Sequence, residues 1–283
     1  MQIIRQLPGL RERTKLIRES GKSLALVPTM GALHEGHMAL VELAKRHADH
    51  VIVSIFVNPR QFGANEDLDK YPRAEAADAA RLAEAGVTVL WMPPVSEVYP
   101  DGFATRVLVE GLADTLCGAA RPGHFEGVTT VVAKLFNQVR PDIAVFGEKD
   151  WQQLVIVRRL ARDLDMEVEI VGMPILRDGD GLALSSRNAY LSAGERQTAL
   201  SLPRTLAETA LAIGKGAGIP AALADARTAM LAAGFSSIDY VALVDAASLE
   251  PLAARDREGR LLAAARLGST RLIDNVPVPK GKA

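Results

Sequence analysis

Two histidines three residues apart, His34 and His37, sit in the string Pro28-Thr29-Met30-Gly31-Ala32-Leu33-His34-Glu35-Gly36-His37. At that spacing a helix stacks side chains on one face, so a helix starting near Gly36 turns both rings the same way. A helix start offers unpaired backbone N–H groups and the positive end of the dipole, and imidazoles placed there suit a polyphosphate. Gly31 and Gly36 would let such a ligand approach the backbone closely. Two other readings compete. Either ring could be a partly buried polar group satisfied by local hydrogen bonds, or the pair could ligate a metal. The string is not His-Glu-x-x-His, and no cysteine pair or third histidine at short spacing completes a ligand set, so no metal site is expected.

A second cationic element is Lys149, in Gly147-Glu148-Lys149-Asp150, directly after an apolar run and before Trp151-Gln152-Gln153-Leu154. A lysine there can neutralise phosphate oxygens; its bland alternative is a solvated loop lysine, with Asp150 a simple N-cap. Ser185-Ser186-Arg187 follows a glycine-bearing stretch and adds two hydroxyls and a guanidinium, a composition fit to grip a triphosphate. His47 and His50, at the end of the first histidine helix, read as surface residues.

The elements that must position these groups follow from periodicity. Short apolar runs, Leu24 to Pro28, Val51 to Val57, Val87 to Met92, Ile143 to Phe146 and Val168 to Val171, alternate with helical patterns at His37 to His47, Ala74 to Ala85, Gly127 to Val139 and Trp151 to Leu164. Strand-helix alternation of this kind predicts a Rossmann-like parallel sheet with helices on both faces. Ligands of such sheets bind beyond the carboxyl ends of the strands, where each polar string above lies. Arg106 to Val109 is a candidate further strand within an irregular, Gly- and Pro-containing stretch from Val95 to Gly123.

After Pro174 the alternation ends. Ser192-Ala193-Gly194-Glu195 is a capping-box pattern. Helices are expected near Gly194 to Ile213 and Pro220 to Ala233, then strands at Tyr240 to Val244 and Leu261 to Leu267, with Pro277 to Ala283 a loose tail. The expected division is an α/β domain over 1–176 and a smaller α+β domain over 177–283.

Composition narrows the function. With 283 residues, 48% hydrophobic, and a formal net charge of −1, the chain is that of an ordinary globular protein. No basic stripe for nucleic acid is expected. One cysteine, Cys117, cannot form an internal disulfide, which suits a reducing cytoplasm. No signal-peptide pattern opens the sequence, and no uncharged apolar stretch reaches the roughly 20 residues of a membrane span.

Taken in order and spacing, Pro28 to Gly31 with His34 to His37, Phe56-Val57-Asn58-Pro59 with Gln61-Phe62, Arg121-Pro122-Gly123-His124-Phe125, Phe146 to Asp150, Gln152-Gln153 and Leu184-Ser185-Ser186-Arg187-Asn188 resemble pantothenate synthetases. A weaker echo lies in Arg271-Leu272-Ile273-Asp274-Asn275. His-x-Gly-His alone is shared with other nucleotidyltransferases, so an enzyme of that superfamily acting on a phosphorylated substrate is the alternative. The resemblance implies a cytoplasmic homodimer whose N-terminal domain binds ATP and pantoate and whose smaller C-terminal domain is a lid. It implies joining of pantoate to β-alanine through a pantoyl adenylate, with Mg²⁺ on the ATP phosphates and no tightly bound organic cofactor. Met30, Gly31, Ala32, Leu33, His34, Glu35, Gly36 and His37 would hold the nucleotide, and Gly147, Glu148, Lys149 and Asp150 its ribose and phosphates. Leu176 and Leu184 would lie at the adenine. His34, His37, Lys149, Ser185, Ser186 and Arg187 would act on the phosphates, and Gln61 and Gln153 would bind pantoate beside an apolar wall of Phe56, Val131 and Val132. No role for Arg121 and His124 follows from it.

Overall fold

The computed structural model describes residues 1–63, 66 and 68–281. The chain divides into two compact units: Met1–Glu148 with Ile156–Pro174, and Lys149–Val155 with the residues from Ile175 onward.

The first unit is built from β1 (Gln2–Ile4), α1 (Leu7–Glu19), β2 (Leu24–Thr29), α2 (Glu35–His47), β3 (His50–Ile55), α3 (Glu75–Glu84), β4 (Val89–Trp91), two single turns α4 (Val95–Val98) and α5 (Cys117–Ala120), α6 (His124–Val139), β5 (Ile143–Gly147), most of α7 (Trp151–Asp163) and β6 (Glu169–Met173). Its six strands are all parallel, in the order β1-β4-β3-β2-β5-β6. Strand alternation sends side chains to opposite faces. On one face Ala25, Val27, Val51, Val53 and Leu90 form a core with Leu40, Val41 and Ala44 of α2 and Leu82 of α3. Trp91, next to Leu90, turns the other way and donates its indole N–H to Gln138 of α6 at 3.2 Å. Phe136 of α6 and Phe146 of β5 pack edge to face there, 6.4 Å between centroids. Covering on both faces is why these strands are continuous apolar runs.

Arg106 to Val109, a candidate strand in a stretch read as irregular, forms no strand: the N–H of Val107 donates to Thr130 Oγ1 at 3.0 Å and its carbonyl accepts from Thr129 Oγ1 at 2.6 Å. Threonines of α6 thus satisfy the backbone groups that a neighbouring strand would otherwise take. His50 does not end a helix; it opens β3, half-buried, with Nδ1 3.1 Å from Thr88 Oγ1.

In the second unit, helices α8 (Ala193–Ala199), α9 (Ser201–Gly214) and α10 (Ile219–Ala233) accompany an antiparallel sheet of β7 (Ser237–Asp245), β8 (Gly259–Leu267) and β9 (Thr270–Val278). Leu202, Leu206, Met230, Leu243, Leu261 and Ala263 lie in its core. Ser192 and Glu195 form the reciprocal capping box, at 2.9 and 3.3 Å. The single helix expected from Gly194 to Ile213 is two, because Pro203 lacks an N–H and its ring collides with the carbonyl four residues back, at Ala199. Pro277 and Val278 are not tail but the end of β9, with Val278 paired to Gly259. Lys282 and Ala283, also assigned to the tail, lie outside the described residues. Among the described residues no helix is long and apolar enough to cross a membrane.

Candidate active site

The loop leaving β2 is fixed before any ligand is considered. Gly31 takes φ +85, and a Cβ there would press on Ile55 Cγ2 at 3.1 Å and Asp78 Oδ2 at 3.2 Å. Ala32 is also left-handed, at φ 51. This backbone turns the N–H groups of Ala32 and Leu33 onto the buried carboxylate of Asp78, at 2.8 and 2.9 Å. From the same face of α3, Arg81 donates to the Leu33 carbonyl at 2.8 Å and pairs with Glu35. The loop therefore has both its donors and an acceptor held from behind.

The histidines are the first cap of α2. The helix begins at Glu35, one residue earlier than expected, so His34 is the N-cap and only His37 is inside it. His34 Nδ1 accepts from Gly36 N at 3.1 Å, and His37 Nδ1 accepts from His34 N at 3.3 Å. The rings lie 4.1 Å apart. Backbone N–H groups can only donate, so each Nδ1 is without a proton and each neutral ring carries its proton on Nε2. Local satisfaction and phosphate binding are thus not exclusive: one nitrogen caps the helix and the other is a donor.

At the exit of β3, Asn58 is buried and organises Gln61. Its Nδ2 donates to Gln61 Oε1 and to the Gly127 carbonyl, each at 3.0 Å, while its Oδ1 accepts from Tyr99 Oη at 2.8 Å. Burial, opposed by Arg60, pushes that phenol up to about 12. A Cβ on Gly127 would overlap the Arg60 backbone, so only glycine allows α6 this close. With its oxygen engaged, Gln61 aims Nε2 at Met30 Sδ, 3.1 Å away, joining the two strand-exit loops. Arg121 and His124 have a place here too. His124 Nδ1 donates to the Gln61 carbonyl at 2.8 Å, and its Nε2 accepts from Arg121 at 2.9 Å, since a carbonyl cannot donate and a guanidinium cannot accept. Arg121 also grips Glu66 through Nε at 2.6 Å and Nη2 at 2.5 Å. Burial raises the Glu66 carboxyl, but the hydrogen bonds and charge of Arg121 outweigh it and hold it below its ordinary 4.5. Phe56, Val131 and Val132 are each buried.

Gly147 ends β5, and Glu148, Lys149 and Asp150 form a single 3-10 turn. Lys149 and Gln153 are half-buried, and Gln152 is nearly fully buried. In the second unit, Leu176 and Leu184 meet across a hairpin, the N–H of Leu184 donating to the Leu176 carbonyl at 3.0 Å. Ser185 caps the 3-10 turn Ser186–Tyr190, its Oγ accepting from Arg187 N at 3.3 Å. Among the described residues no three His, Cys, Asp or Glu side chains gather as a metal-ligand set.

Sequence reasoning missed Asp78 and Arg81, and it gave no role to Asn58, although that residue stands in the Phe56-Val57-Asn58-Pro59 string. A signal existed for Asp78. It falls four residues before Leu82, on the face of α3 that must be apolar, and a carboxylate there needs partners.

The comparisons agree with one another. A family model described as pantoate-beta-alanine ligase matches residues 2–277. A protein of Sphingopyxis alaskensis named pantothenate synthetase is 62% identical over 278 residues, covering 98% of this chain and 100% of its own. A solved pantothenate synthetase of Thermus thermophilus superposes with TM-score 0.93 at 47% identity, covering 99% and 100%. The pantoate-beta-alanine ligase of Francisella tularensis, solved with a beta-gamma ATP and beta-alanine, gives TM-score 0.83 at 32% identity, covering 98% and 97%. With the braced His34–His37 loop at a strand exit of a parallel sheet and these matches along nearly all its length, the chain belongs to the pantoate-beta-alanine ligase family.

Proposed function

We propose that this chain joins pantoate to β-alanine with ATP, giving pantothenate, AMP and pyrophosphate through a pantoyl adenylate. A pantoate carboxylate oxygen attacks the α-phosphorus, and the bond from that phosphorus to the pyrophosphate oxygen breaks. The β-alanine amine then attacks the acyl carbon, AMP leaves with the bridging oxygen, and the amine loses a proton. The observation that carries this reading is the paired-histidine cap, which supplies two Nε2–H donors at the N-terminus of α2 on a braced loop. Donors preset for developing phosphate charge need no reorganisation during the step.

In this reading Met30 to His37 hold the nucleotide, Gly147 to Asp150 its ribose and phosphates, and Leu176 and Leu184 its adenine. Lys149, Ser185, Ser186 and Arg187 join the histidines on the phosphates, with residues 177–283 as the lid. Gln61 and Gln153 hold pantoate. These donors are cationic or N–H and O–H bearing, the complement of a polyphosphate, and Mg²⁺ would arrive on the ATP oxygens as part of the substrate. The enzyme works as a cytoplasmic homodimer.

The test is isotope exchange. With Mg²⁺, ATP and pantoate but no β-alanine, labelled pyrophosphate should enter ATP, and omitting pantoate should abolish this. With ¹⁸O in the pantoate carboxylate, the full reaction should leave one label in AMP. Exchange that required β-alanine, with unlabelled AMP, would sink the adenylate mechanism. Nucleotide transfer to a phosphorylated substrate instead of pantoate would favour the wider superfamily.

A further inference from the structure

The motif Arg271-Leu272-Ile273-Asp274-Asn275 takes no part in the chemistry above, yet it is a buried polar pair in the middle of β9. Asp274 and Asn275 are each 2% exposed. Burying such groups is costly unless every one is hydrogen-bonded, so their partners reveal their purpose.

Asp274 takes the fork of Arg177, Nη1 to Oδ2 at 2.7 Å and Nη2 to Oδ1 at 3.0 Å. Arg177 stands at the base of the hairpin that leads to Ser185, bridged there to Ala183, and its Nη1 also holds the Gly181 carbonyl at 3.2 Å. Asn275 faces a different segment. Its Nδ2 donates to the Lys149 carbonyl at 2.9 Å, and its Oδ1 accepts from Arg260 Nε at 2.5 Å. The Arg260 guanidinium lies 3.9 Å from the Trp151 ring centroid, and the Trp151 indole donates to the Ala246 carbonyl at 3.1 Å. The two residues are themselves tied, Asn275 N donating to Asp274 Oδ1 at 2.8 Å.

We infer that Asp274 and Asn275 are positioning residues for the activation step, two consecutive residues of one strand that hold the Lys149 turn and the Ser185–Arg187 hairpin in a common frame. Neither is among the phosphate-gripping groups of the function proposed above. Each acts through a segment that grips the phosphates in that function; the inference rests on that reading. The phosphate donors near Lys149 and Arg187 come from stretches far apart in sequence, and a strand carries them both because adjacent residues cannot move apart. Misplacing such a group by about 1 Å costs about a hundredfold in rate.

Asn275→Asp is the discriminating variant. The carboxylate keeps the acceptor for Arg260 while losing the donor to Lys149. Expected is a melting temperature near that of the parent and pantoate-dependent pyrophosphate exchange about ten- to a hundredfold slower. Turnover of supplied pantoyl adenylate with β-alanine, which involves no pyrophosphate, should change less than about twofold. In a Lys149→Ala background the same substitution should add less than about threefold, because coupled positions are not additive. Equal loss in both half-reactions, additive losses in the double variant, or undiminished exchange would overturn the inference. If Asn275→Asp does not fold, Arg177→Lys, which keeps the charge on Asp274 but not the fork, must show the same split between half-reactions or the inference fails. Parent enzyme that shows no pantoate-dependent exchange would overturn the proposed function first, and this inference with it.

Discussion

An imidazole can cap a helix only through a nitrogen that carries no proton, and this single-atom condition separates the two jobs of His34. Asparagine offers a carbonyl oxygen at about the same reach and is among the best N-caps known. His34→Asn is therefore expected to melt at or above the parent temperature while losing activity by about two to three orders of magnitude, since the Nε2–H is gone. Thermal melting and steady-state kinetics on one preparation check both halves; an active variant would remove His34 from the chemistry. His37→Ala should lose a similar factor in rate but should also lower the melting point, because the acceptor for His34 N goes with it. At this scale the sequence was readable where side-chain spacing carries meaning. His34 and His37 were found because three residues make most of a helical turn, whereas the capping that fixes their tautomer depends on backbone angles that spacing does not encode. Gln61 was legible only by resemblance, since its orientation is set by Asn58, buried three residues earlier.

Helix α3 shows what an element contributes beyond its apolar face. Asp78 accepts two backbone N–H groups of the loop, one at each oxygen. Asn at that position has one oxygen, and its NH₂ would oppose the second donor. Asp78→Asn is expected to lower stability by about 1–3 kcal/mol, as for a buried donor left unsatisfied. It should also weaken ATP binding while leaving pantoate affinity nearly unchanged. Urea unfolding and calorimetric titration of each substrate read the two effects; equal weakening of both ligands would place the brace elsewhere. The long elements were visible before the structure because their periods were unbroken: β2, β3, α2, α6 and α7 all lie within a few residues of expectation. Those missed have short or mixed signals. β1 is three residues long, and β9 is interrupted by Asp274 and Asn275.

At the scale of the molecule, several carboxylates among the described residues are held low by the fold. Backbone N–H donors chiefly do this for Asp49, Asp180 and Glu195; in Asp245 and Glu66 burial opposes, and hydrogen bonds and arginine charge prevail. A carboxyl depressed in the folded state stabilises fully above its ordinary value, 3.8 for Asp and 4.5 for Glu, and that contribution is lost as pH falls through the lowered one. The contribution of these carboxylates to the melting temperature should therefore hold steady from pH 7 to about 5 and decline below about 4. The difference between parent and Glu66→Gln should shrink over the same range, and a constant difference would mean that Arg121 does not depend on the Glu66 charge. A different consequence follows from the seven residues Lys149–Val155, which group with the chain beyond Ile175 although they precede β6. A gene cut at Pro174, the obvious place to dissect this protein, would leave behind Trp151 and with it the aromatic face that Arg260 covers. The piece from Ile175 onward, made alone, should be aggregation-prone, and a peptide spanning Lys149–Val155 should restore part of its solubility; a monomeric, cooperatively melting piece without the peptide would show that the borrowed segment is dispensable.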